Sequence, residues 1–294
     1  MPRPTDSPTA PQQRPGQPAT GHEVRPVALV TGGVRRIGRA IALELARAGF
    51  DLVVHHHGGA HESLEDVAAT AAELQALGAS VHLVEAELAD EAAATALVPA
   101  AAQAFGRLDA VVNNASRFEY DSPADFAPAL LEALMRVNVV APLILARGLA
   151  RQVGQQAPLP SATGPTPCVV NLLDQKLHNP NPDYLSYTLT KAALQHATVL
   201  LAQAFAPALR VCGVAPGITL LSGPMTDAEF ERARRLTPLG RSSTPEDLAR
   251  AVRFLVESSA ITGIDLLVDG GQHLLGQPRD VLFLARAQSV ETAS

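Results

Sequence analysis

The chain has 294 residues, carries 23 Lys and Arg against 29 Asp and Glu for a formal charge of -6, and is 47% hydrophobic. That composition suffices for one large folded core, and with no basic face or basic run it argues against nucleic acid or an anionic membrane as partner and for a small molecule. Cys168 and Cys212 are too few for a disulfide framework, and with no apolar leader and no uninterrupted apolar stretch of about 18 residues the expected address is the cytoplasm.

In chain order, residues 1–25 hold Pro2, Pro4, Pro8, Pro11, Pro15 and Pro18 among Thr, Gln, Ser and Gly, a composition that predicts disorder. From Pro26 the texture changes to short β-rich runs alternating with long Ala/Leu-rich segments. Strands are expected at 27–31, 52–55, 81–84, 110–112, 168–172, 210–214 and 265–268, and helices over 37–48, 62–77, 90–105, 123–151, 184–205 and 245–258. This alternation predicts a single doubly wound α/β domain of Rossmann type over 26–273. Residues 155–167, rich in Pro, Ser, Thr and Gly, read as a surface insertion. Residues 274–294 form a C-terminal extension whose Val281-Leu-Phe-Leu is apolar enough to dock on a neighbour or to cover the cleft. In an open parallel sheet, ligands lie beyond the carboxyl ends of the strands, so the loops after each strand are where chemistry is expected.

The first such loop is Thr31-Gly32-Gly33-Val34-Arg35-Arg36-Ile37-Gly38, a buried strand passing through a glycine turn into a helix. Glycines let the backbone approach a pyrophosphate, and the free N–H groups and dipole of the helix start favour its charge. The second strand ends in His55-His56-His57-Gly58-Gly59, with none of the carboxylates that NAD enzymes place there for the ribose 2′-hydroxyl. Arg36, with Arg35 beside it, offers a guanidinium for a 2′-phosphate, so NADP(H) is the expected cofactor. Alternation along a strand keeps the three histidines from converging on one metal, and no metal site is expected; they read as a polar strand end or a nucleotide rim.

Tyr187 and Lys191 are four residues apart at the start of a long apolar-periodic helix and share one face. A nearby cation favours the phenolate and would bring a Tyr, whose ordinary pKa is about 10, towards neutral-pH proton transfer. The pair follows the fifth strand, Asn113-Asn114-Ala115-Ser116 follows the fourth and Pro216-Gly217 the sixth, all on one edge of the sheet.

Together these motifs, from about residue 27 to residue 273, resemble the short-chain dehydrogenase/reductase family. The resemblance implies a seven-stranded parallel sheet of order 3-2-1-4-5-6-7 flanked by helices. It implies that Tyr187 is the general acid/base, that Lys191 lowers its pKa and grips the nicotinamide ribose, and that Asn138 orders a water in the proton relay. It places Thr31, Gly32, Asn114, Ala115 and Ser116 at the cofactor, Glu87 and Leu88 beside the adenine, and Pro216, Gly217, Ile218 and Thr219 beside the carboxamide. It also implies a homotetramer, paired through helices 123–151 and 184–205.

Three departures narrow the resemblance: Arg36 stands at the middle glycine of the turn, Ser116 replaces the glycine of NNAG, and Asp174 replaces the catalytic Ser. With Phe118 they are similar to the pteridine reductase branch. There the Arg contacts cofactor phosphate and pterin, the Ser and Phe hold the pterin ring, and the Asp works with the Tyr in proton delivery. The expected function is NADPH-dependent reduction of a pterin-like C=N heterocycle, with a ketone or hydroxyl substrate, or a non-catalytic NADP(H)-binding sensor or scaffold, as alternatives.

Overall fold

The computed structural model describes residues 24–59, 62–156, 166–221 and 225–291. Residues 1–23 of the expected tail and 157–165 of the expected insertion lie outside the described residues. Arg25 is fastened to the domain, its guanidinium donating to the carbonyls of Gly49 at 3.0 Å and Phe50 at 3.2 Å.

The strands are β1 (Val27–Val30), β2 (Asp51–His56), β3 (Val81–Glu85), β4 (Ala110–Asn113), β5 (Cys168–Leu172), β6 (Arg210–Pro216) and β7 (Asp265–Val268). They form one parallel sheet in the order β3-β2-β1-β4-β5-β6-β7, as expected. Both faces are buried, which is why the strands read as continuous apolar runs. Ala28 and Val30 join one core cluster with Cys168 and Val170, while Val27 and Leu29 join a second with Val169, following the two-residue period of a strand.

The first cluster packs under α1 (Arg36–Arg47), α2 (Leu64–Ala76) and, from much later in the chain, α8 (Pro245–Glu257). The second packs under α3 (Glu91–Phe105), α5 (Ala141–Val153) and α6 (Leu185–Phe205). Residues 123–151, expected as one helix, form α4 (Pro128–Met135), a π turn (Arg136–Val140) and α5. The 26-residue run Pro128–Val153 contains an 18-residue window with a mean hydropathy of 1.8 and could cross a membrane by length and composition. Here its apolar residues serve the core instead: Ala141, Ile144, Leu145 and Leu149 pack against α3 and the sheet.

Two helices have no counterpart in the sequence reading. α7 (Asp227–Arg235) is too polar for a clear apolar period, and is started by a capping box in which Thr226 and Glu229 satisfy one another's backbone N–H groups. α9 (Val281–Glu291), in the C-terminal extension, packs Val281 and Ala285 on Ala233 of α7, and Arg286 pairs with Glu229 at 2.8 Å. The start of the extension, Asp280, Val281 and Leu282, lines the cavity of its own chain.

Candidate active site

The glycine turn after β1 is braced from behind. The Asn114 amide donates to the carbonyls of Thr31 at 2.9 Å and Gly32 at 3.1 Å, and the Thr31 hydroxyl accepts from the N–H groups of Asn114 and Ala115, each at 3.0 Å. A Cβ on Gly38 would stand 1.9 Å from the Gly32 carbonyl oxygen, so α1 can approach the turn only as glycine. The first turn of α1 has neither a side-chain cap nor an acidic residue. Its N–H groups and positive dipole end are left for an anion, and the cradle fits the pyrophosphate of a dinucleotide.

The three histidines divide their work. His55 Nδ1 accepts from the Gly32 N–H at 3.1 Å, which makes Nε2 the donor to the Ala86 carbonyl at 3.0 Å. Burial pulls its pKa down and keeps it neutral, so His55 is a strut under the turn and its ring nitrogens are engaged by the protein. His56 is buried. His57 points outward to Glu87 at 2.7 Å, and that hydrogen bond raises its pKa. Leu88 is a core residue.

Two expectations about the 2′ end are corrected. Arg36 does not meet the end of β2: its guanidinium lines the substrate cavity and donates to the Leu221 carbonyl at 2.8 Å, while Arg35 is the arginine on the α2 side, 4.0 Å from Asp66. Nor is the end of β2 free of carboxylates, because Glu62 folds back onto the N–H groups of His57 and Gly58. Arg36 also holds φ at 51°, the left-handed region that the glycine of the family motif would adopt freely.

Beyond the carboxyl ends of β4, β5 and β6 lies a cavity of about 300 Å³ lined by Arg36, Ser116, Phe118, Asp174, Tyr187 and Lys191, with Pro216, Gly217, Ile218 and Thr219 on its β6 side. Ile37 contributes from α1. The Tyr187 hydroxyl, from the first turn of α6, donates to Asp174 Oδ2 at 3.0 Å. Lys191 Nζ, one turn on, donates to the Leu172 carbonyl at 2.7 Å and lies 5.7 Å from the Tyr187 ring centroid.

Burial and the charge of Asp174 push the Tyr187 phenol well above its ordinary pKa. This reverses the expectation that Lys191 draws it towards the phenolate; at neutral pH the phenol carries its proton. Burial pushes the Asp174 carboxyl up, against the Lys176 N–H, the phenol and Lys191, and pulls the Lys191 ammonium down to about 8 against the attraction of Asp174.

Asn138 sits in the π turn, where the widened backbone turns a poor helix former inward. Its amide donates to the Arg117 carbonyl at 2.9 Å and Thr190 Oγ1 at 3.0 Å, and its oxygen accepts from the Arg117 N–H at 2.8 Å and Ser116 Oγ at 3.2 Å. The side chain thereby ties the loop after β4 to α6. Phe118, brought to the cavity by that loop, stacks on Tyr184 with ring centroids 4.5 Å apart and meets Tyr187 edge-on at 4.7 Å.

Among the cavity residues that escaped the sequence reading are three polar groups with distinct settings. Gln175 Oε1 is buried beside Asp174 without a hydrogen-bond partner among the described residues. Tyr184 is held at φ 54° just before α6. Asp280, which accepts from Lys176 Nζ at 3.4 Å, arrives with the C-terminal extension, fastened by the two 2.8 Å hydrogen bonds between Arg279 and Asp183. Gln175 and Tyr184 are sequence neighbours of Asp174 and Tyr187 that no pattern singles out, whereas Asp280 is brought in by chain folded from elsewhere.

Residues 32–273 match a family model described as enoyl-(acyl carrier protein) reductase. The chain belongs to the short-chain dehydrogenase/reductase family. It is an oxidoreductase of that family, whose members bind NAD(P)(H). A Streptomyces violaceoruber protein named as a ketoacyl reductase of granaticin polyketide synthase is 36% identical over 87% of this chain and 100% of its own length. Pteridine reductase 1 of Leishmania tarentolae is 32% identical over 85% of this chain and 96% of its own. The crystal structure of alternative dihydrofolate reductase 1, FolM, of Brucella canis complexed with NADP is 36% identical over 86% of this chain and 96% of its own, with a TM-score of 0.75.

Proposed function

We propose that this enzyme uses NADPH to reduce a C=N bond of a pterin or a similarly flat nitrogen heterocycle. The observation that carries the reading is the Tyr187–Asp174 hydrogen bond at the floor of a cavity that also presents Arg36, Ser116 and Phe118. The FolM complex with NADP and the pteridine reductase relative support it.

The cofactor is NADP(H), held by the glycine turn and the start of α1; when bound it supplies a hydride. A hydride added to a ring carbon has to be matched by a proton on the adjacent nitrogen, and a protonated phenol is suited to give it. Tyr187 gives up its proton at Oη and takes another from Asp174, whose raised pKa lets it refill from solvent; the two titrate as a coupled pair. Lys191 puts a buried positive charge beside the phenolate formed in that step, and its remaining N–H groups suit ribose hydroxyls. Gln175 Oε1, unpartnered among the described residues, suits accepting from a ring N–H, and the Phe118 ring suits stacking on a flat substrate, worth about 0.5–1.5 kcal/mol beyond area burial.

The test is hydride transfer from NADPH to dihydropterin and dihydrofolate, followed by loss of NADPH absorbance. No turnover across several pterins would sink the reading. A ketone or hydroxyl substrate is the second reading, favoured by the ketoacyl reductase relative. It predicts that Asp174→Ser gains activity on simple ketones, whereas pterin reduction predicts that this variant loses pterin turnover. An NADP(H)-binding scaffold would bind NADPH and transfer hydride to neither class.

The assembly we infer is a homotetramer in the cytoplasm. Exposed Val140 after α4, and Leu189, Val199 and Leu200 on α6, support pairing of these helices between subunits. Sedimentation tests this, and a monomer at micromolar concentration would refute it.

A further inference from the structure

At the end of β2, Glu62 Oε2 accepts from two successive backbone N–H groups, those of His57 at 2.7 Å and Gly58 at 3.2 Å. One oxygen shared by consecutive amides is the grip of an anion-binding nest, in which main-chain dipoles converge on a negative charge. The backbone that makes it is specialised. Gly58 has φ 72°, in the left-handed region that favours glycine, and the side chain of Glu85 lies against it, so that any Cβ there would have to push the Glu85 carboxylate aside. In doubly wound folds this strand end is where the 2′ position of the adenosine ribose is read, by a carboxylate for a hydroxyl and by cationic groups for a phosphate.

We propose that Glu62 determines selectivity at the cofactor's 2′ position: its carboxylate occupies the amide pair that a 2′-phosphate would use, and NADPH has to displace it whereas NADH does not. This rests on the reading of the dinucleotide crevice given above. The ribose 2′-hydroxyl of NADH can donate to the carboxylate and leave both amides satisfied. A 2′-phosphate has no proton to share with the carboxylate and competes for the same two donors. The neighbouring charges set the balance. Glu85 and Glu87 add negative charge, with Glu87 hydrogen-bonded to His57 and within reach of the charge of Arg117, while Arg35 at the start of α1 is a further cation, 4.0 Å from Asp66. Glu62 lies outside the strand, after the glycine corner, and is the carboxylate that sequence position alone does not reveal.

The experiment is fluorescence titration of NADPH, NADH and adenosine 2′,5′-bisphosphate into the wild type and Glu62→Gln, a variant of equal size without the charge. Glu62→Ala serves as a second variant, and the melting temperature checks that each is folded. The expected result is that Glu62→Gln binds NADPH and the bisphosphate about five- to tenfold more tightly, the scale of one charge-assisted hydrogen-bond competition, while NADH affinity stays level or falls. An unchanged ratio of NADPH to NADH affinity, or an equal loosening of both, overturns the inference and makes Glu62 a brace of the loop. Failure of the wild type to bind either dinucleotide overturns the crevice reading as well, which separates the two failures.

Discussion

Tyr187 and Asp174 meet through a 3.0 Å hydrogen bond although they belong to different parts of the fold, the phenol on the first turn of α6 and the carboxyl just beyond β5. The two effects are not mutual: burial and the charge of Asp174 push the phenol up, whereas burial pushes the carboxyl up against the pull of the phenol's hydrogen bond. The phenol therefore keeps its proton at neutral pH, the state that the proposed reduction starts from.

Removing either member should act on the chemical step. Tyr187→Phe is expected to lower kcat for the proposed reduction by about 10²–10⁴-fold, and Asp174→Asn by a smaller factor, with dinucleotide affinity unchanged in both. Steady-state kinetics with NADPH titration checks this, and a Tyr187→Phe variant with near-normal kcat would remove the phenol from the mechanism.

The pH profile should carry the signature of Lys191. Its pKa is lowered to about 8, so the ammonium is present below that pH and lost as pH rises through it. Tyr187 is pushed up and keeps its proton over the same range. Reduction measured as kcat/KM should thus fall on the alkaline side through about pH 8; a profile that stays flat there would mean the free enzyme keeps Lys191 charged.

Arg36 stores backbone strain. A non-glycine residue at φ 51° costs on the order of 1–2 kcal/mol, so Arg36→Gly should raise the melting temperature while KM for the heterocycle rises with loss of the cavity guanidinium. Calorimetry and kinetics on the same variant separate the effects, and a fall in stability would show that the Leu221 contact outweighs the strain.

Gly38→Ala tests the cradle. The added Cβ would stand 1.9 Å from the Gly32 oxygen and 2.5 Å from Asn114 Nδ2, so the turn must open, at a cost of about 1–3 kcal/mol. Loss of dinucleotide binding together with a lowered melting temperature is expected, and wild-type NADPH affinity would refute it.

The sequence by itself determined the strands, most of the helices, the glycine turn and the Tyr187/Lys191 pair. These are local properties, written in apolar period, glycine placement and helical spacing; Asp174 is singled out only through the resemblance to the pteridine reductase branch. Where local patterning is weak, as in polar α7, the element is not legible. The tertiary structure alone decided which groups converge. It turned Arg36 into the cavity and left Arg35 on the α2 side, made His55 a strut, brought Asp280 and Tyr184 to the pocket, and laid Glu62 on the β2 amides. It also reversed the effect expected on Tyr187, because a pKa depends on burial and on every charge nearby, and neither is defined until distant segments pack.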